Sequence, residues 1–78
     1  MTRVYEEIID FIASGATPDA VADYVPSDEA RQRVWQLIER EKASTLSEED
    51  AAELNHFLEL EHIMRLAKAK ARLNLGRA

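Results

Sequence analysis

The chain has no cysteine, so neither a disulfide nor a thiolate metal site can brace it. Two glycines and two prolines leave chemistry for only a few chain reversals, and no stretch alternates apolar and polar residues as a half-buried strand does. No apolar run approaches the roughly 18 residues of a membrane span. The opening "MTRVYEEIID" carries acids early and lacks the apolar run of a secretory leader, so a cytoplasmic protein that does not enter the membrane is expected. A phosphate-cradling glycine loop and a serine-nucleophile motif are also missing, which argues against an enzyme and against a bound cofactor.

One charge sign is missing locally. No Asp or Glu follows Glu61, while Arg65, Lys68, Lys70, Arg72 and Arg77 all do. Residues 62–78 therefore carry +5, and residues 1–61, with 15 acids and five bases, carry -10. Charge asymmetry of this kind points to a binding segment.

Seventy-eight residues make a single domain, 1–78, that buries only about 60% of its unfolded surface. Twelve of its apolar residues are alanine, so large core side chains are few. Small folds without covalent braces depend on regular helix packing or on oligomerisation, and a homodimer is expected.

Helical punctuation is clear. The pattern predicts an all-α bundle of three to four helices at about 3–14, 18–24, 28–43 and 48–75. The first starts near Thr2, with Val4, Ile8, Phe11 and Ile12 on one face, Tyr5 and Ile9 widening it, and Gly15 as its stop. "TPDA" places Thr17 as cap and Pro18 in the first helical turn of a short helix ended by Pro26. Its Val21, Tyr24 and Val25 are expected to clamp the ends of longer helices. Ser27 caps the third helix, whose stripe is Ala30, Val34, Leu37 and Ile38 with Trp35 at its edge; "EKAST" frays its end. In "LSEED", Ser47 and Asp50 stand in capping-box positions and Leu46 can staple onto Ala51.

From Glu48 nothing interrupts the last helix until Gly76, which gives roughly 40 Å at 1.5 Å per residue. A compact domain of this size is about 30 Å across. The final turns are therefore expected to overhang, or to pack against something outside the monomer. Phe57, Leu60, Met64, Ala67 and Ala71 follow coiled-coil spacing and form the expected core or dimer seam, extended by Leu54 and Leu58. Ile63, Leu66 and Leu73 lie on the other side, and Ala67, Ala69 and Ala71 would allow close approach of a neighbour.

Helix electrostatics account for part of the basic end, since cations near a C-terminus are favoured by about 0.3–1 kcal/mol each. Glu61 and Arg65 add an i,i+4 pair. Beyond that, Ile63, Arg65, Leu66, Lys68, Lys70, Arg72, Leu73 and Arg77 make the expected docking set for an acidic protein partner. Nucleic acid is the weaker alternative, because the body is acidic and no aromatic lies beyond Phe57 to stack on bases. "ELEH" offers a second alternative: Glu59 and His62 have the Glu-x-x-His spacing of di-iron helix bundles, which a dimer would double and Glu39 or Glu41 could supplement. His56 is too far along the axis to share an ion with His62.

The segments "FIASGATP", "VPSDEARQRV", "REK", "LSEED" and above all "LELEHIMRLAKAKARL" resemble a family of small helical proteins from cyanobacteria and other bacteria. The likeness spans about residues 8–73. It implies an antitoxin-like or accessory role, since such proteins are often encoded beside nuclease toxins of the HNH or PIN type. A cationic helix with Arg65, Lys68, Arg72 and Arg77 would then enter a carboxylate-rich nuclease site.

Overall fold

In the computed structural model, which describes residues 3–76, the chain folds into α1 (Glu6–Ala13), α2 (Pro18–Asp23), α3 (Asp28–Lys42) and α4 (Glu48–Asn74). No strand occurs among the described residues, and the all-α architecture with a long last helix is as expected. The start of α1 is not. The expected start near Thr2 lies outside the described residues, and the helix begins only at Glu6, after Tyr5, which offers no side-chain cap. The N–H groups just before it go to carboxylates instead: Arg3 donates to Glu6 at 2.8 Å and Val4 to Glu53 at 3.0 Å.

The other three helices start as their cap residues dictate. Thr17, Ser27 and Ser47 accept from the N–H groups of Ala20, Ala30 and Asp50 at 3.1–3.2 Å. Ser47 makes only half of a capping box, because Asp50 turns its carboxylate to Arg33 and Arg40, each at 3.0 Å. Asp is one methylene shorter than the Glu that normally reaches back. Gly15 and Gly76 end α1 and α4 at φ 76° and 75°.

The end of α3 does not fray. Ser44 adopts φ 58°, the Thr45 N–H donates to the Arg40 carbonyl at 2.9 Å, and the Ser44 N–H to that of Glu41 at 3.0 Å. These are the two bonds of a Schellman turn, made without the glycine that would announce it.

α4 runs unbroken past His62 and sets the long dimension of a molecule measuring 44 × 24 × 18 Å. The radius of gyration, 14.0 Å, exceeds the roughly 11–12 Å of a spherical domain of this length. The other helices share that length among them. The start of α1 meets Glu53 and His56, the latter through a Tyr5 ring 5.2 Å away, and Arg33 of α3 bridges Asp50 and Glu53. α2 lies along the last third, where Ala16, Pro18 and Val21 share a hollow with Ala67 and Ala71. The final turns therefore do not overhang bare. α2 covers one side of them rather than clamping helix ends, which leaves Val25 exposed.

Val4, Ile8, Ala30, Leu37, Leu54, Phe57 and Met64 form the core, and Ala22 and Ala71 are also buried. Phe11, Val21, Tyr24, Val34, Ile38, Leu46 and Leu60 pack around it half-buried. Ile9 and Ile12 fall outside, as does Trp35, whose ring has the Lys42 ammonium 5.9 Å from its centre. The short α1 covers a strip too narrow to enclose every apolar residue it carries.

Glu53 is buried together with its charge. Burial alone would raise its carboxyl, but two donors from Arg33, at 3.0 and 3.3 Å, and the Val4 N–H outweigh it and hold the group below the ordinary 4.5. Glu7 ties α1 to the start of α3. The Ser27 hydroxyl at 2.6 Å and N–H at 2.9 Å keep its carboxyl low. Burial, followed by the charge of Glu7, pushes the Tyr24 hydroxyl up to about 12.

Candidate functional site

Successive residues on α4 step by 100°, so its apolar positions fall on two opposite faces. On the inner face Phe57, Met64 and Ala71 are buried and Leu60 and Ala67 are half-buried. This is the seam expected from the spacing, and it packs within the chain against α1, α2 and α3. The close approach that Ala67 and Ala71 permit is taken up by α2, and Ala69 stays exposed.

The outer face has no cover among the described residues. Ile63 is 53% exposed, Leu66 60% and Leu73 70%, with Leu58 at the margin. Each is a large branched side chain whose burial is worth about 1.5–3 kcal/mol when complete. Ile9 lies nearby: with Tyr5, His56, Glu59 and Leu60 it lines a shallow hollow between α1 and α4. That α1 contributes to this side was missed in the sequence, although Tyr5 and Ile9, which widen the α1 stripe, were the available signal.

The basic cluster divides. Lys68 donates to the Tyr24 carbonyl at 2.9 Å and Arg72 to the Ala22 carbonyl at 3.2 Å. Both carbonyls stand at the C-terminal end of α2, which has no basic residue in its own last turn and is stopped by Pro26. Cations supplied by α4 thus meet the negative end of α2 and satisfy carbonyls the helix leaves open. This explains why cations persist more than one turn inside α4. Arg65 pairs with Glu61 at 2.9 Å, a solvated i,i+4 bridge. Lys70 is exposed, with no side-chain partner among the described residues. Arg77 lies outside the described residues.

Glu59 and His62 are both exposed on the outer side, and Glu39 and Glu41 point from exposed positions of α3. Among the described residues no group of three or more His, Cys, Asp or Glu side chains could hold one metal ion. No helix among them is long and apolar enough to cross a membrane. The hollow under Ile8, Tyr24, Pro26 and Met64, edged by Glu61, Arg65 and Lys68, has its charged groups already engaged with one another or with α2. No family model, no curated protein and no solved structure matches the chain.

Proposed function

We propose that this is a cytoplasmic binding protein, not a catalyst, and that it docks a protein partner through the outer face of α4. The observation that carries the reading is the exposure of Ile63, Leu66 and Leu73 together on a helix whose other sides are pinned by α1, α2 and α3. An apolar row of this kind, rimmed by charge, is how helices present anchors to a groove. The antitoxin-like role implied by the family resemblance fits a protein that acts by occupying another. The means would be apolar docking with Lys70 at the rim, since Lys68 and Arg72 are engaged with α2 and Arg65 with Glu61. The same engagement lowers the number of cations free for phosphates and favours protein over nucleic acid.

Removing residues 64–78 would not test this, because Met64 and Ala71 belong to the interior. Leu66→Asp and Leu73→Asp are the proper variants. Proteins cross-linked to the wild type in its own cells should be lost from both, with far-UV circular dichroism and melting unchanged. Recovery of the same set by all three proteins overturns the reading.

A further inference from the structure

The proposed docking face has a charge pattern that selects its occupant. His56, Glu59, Ile63, Leu66, Lys70 and Leu73 follow one another at spacings of 3, 4, 3, 4 and 3, a second coiled-coil seam on the side of α4 away from the core. All six are exposed, and His56, at the α1 edge of the seam, also holds its ring edge-on to Tyr5. Its two central positions, Ile63 and Leu66, are apolar and are flanked by an acid on one side and a base on the other, four residues away in each case. Neither Glu59 nor Lys70 has a side-chain partner among the described residues.

We infer that this seam binds the same seam of a second copy, antiparallel, about a two-fold axis between Met64 and Arg65. The inference rests on the binding reading above and names its partner. Turning α4 end for end about that axis exchanges Ile63 with Leu66, Glu59 with Lys70, and His56 with Leu73. Every layer then joins the two kinds of seam position, as antiparallel helix pairs require. The apolar centre closes on itself, and Glu59 of each copy meets Lys70 of the other, so each unpaired charge finds its complement twice.

Other arrangements lack this fit. A parallel pair in register sets Glu59 against Glu59 and Lys70 against Lys70. Moving the antiparallel axis one heptad step towards the C-terminus places Leu66 against Lys70, and moving it the other way leaves Glu59 on Ile63. In the favoured register the two Glu59 residues stand about 16 Å apart along the axis, so a shared di-iron site does not form across it.

Sedimentation equilibrium over a concentration series is the test. The wild type should dimerise in the micromolar range typical of a small, partly polar helix interface, on the order of 1–100 µM. Glu59→Lys and Lys70→Glu should each weaken the dimer by about tenfold or more. The E59K/K70E double variant should restore it, and an equimolar mixture of the two single variants should associate. All these side chains are exposed, so the fold is not at risk. Asn55→Cys, the sole cysteine in its variant, takes one spin label; two labels should lie about 28 Å apart along the axis, against roughly 10 Å for a parallel pair. A monomer at every concentration overturns the inference, as does a dimer indifferent to both charge reversals or a short label distance. If the wild type is monomeric and Leu66→Asp still loses its cross-linked proteins, the second copy is wrong and the binding reading stands. If neither changes, both fall.

Discussion

The two faces of α4 are made of much the same material and meet opposite ends. Leu54, Phe57 and Met64 on the inner face are at most 5% exposed, whereas Ile63, Leu66 and Leu73 on the outer face are at least 53% exposed. Hydropathy does not separate them. What does is supply: α1, α2 and α3 have 8, 6 and 15 residues, enough to cover one side of a 27-residue rod and no more. The contrast teaches that apolar periodicity in a long helix tells how many faces want cover, not which of them the chain itself provides.

Truncation on the two faces should give the largest contrast. Phe57→Ala removes a ring from the interior and should cost about 3–5 kcal/mol of unfolding free energy. Leu66→Ala, on the outer face, should change it by no more than about 0.5 kcal/mol at concentrations too low for association. Urea denaturation of both, with equal slopes, checks this. A Leu66→Ala loss as large as that of Phe57→Ala would mean the outer face is not free.

The polar part of the inner face gives the next effect. Arg33→Met leaves the buried Glu53 carboxylate with the Val4 N–H alone, and about 2–3 kcal/mol should be lost at pH 7. The pH dependence follows from the sign of the shift. Because the folded carboxyl titrates below the ordinary 4.5, its contribution is present above that value and disappears as the pH falls through the folded one. Wild type and Arg33→Met should therefore converge in stability as acid is added below pH 4.5. At the other limit, the stability associated with neutral Tyr24 is complete below its ordinary value of 10 and lost as the pH rises towards about 12; Tyr24→Phe should abolish that alkaline loss.

Local chemistry made most of the fold legible. The cap residues Thr17, Ser27 and Ser47 and the stops Gly15 and Gly76 place nearly every boundary, because each acts on its own neighbours. The turn at Ser44 was not legible, since serine pays a steric penalty in the left-handed region and nothing nearby advertises that it will go there. Long-range choices were also hidden. That Asp50 would leave its own helix start for Arg33 and Arg40 depends on α3 lying alongside, and that Lys68 and Arg72 would serve α2 depends on where a six-residue helix lands. Sequence spacing showed the outer face of α4, while its freedom from cover followed only from the arrangement of the other three helices.

The finest distinction separates cations only two residues apart. Lys68 and Arg72 reach the carbonyl end of α2, and Lys70, between them, faces out. Lys68→Met and Arg72→Met each remove a charged donor from a helix end, which should cost about 1 kcal/mol and be partly screened by salt. Lys70→Met in dilute protein should be near neutral. Amide exchange reads the difference where it arises: opening within residues 18–24 should quicken about fivefold in the first two variants and stay at the wild-type rate in the third. Equal effects from all three would make the cluster a diffuse electrostatic field acting on the whole of α4. Loss confined to Lys68→Met and Arg72→Met would mean that two cations hold α2 against the rod and that Lys70 is left for the outer face.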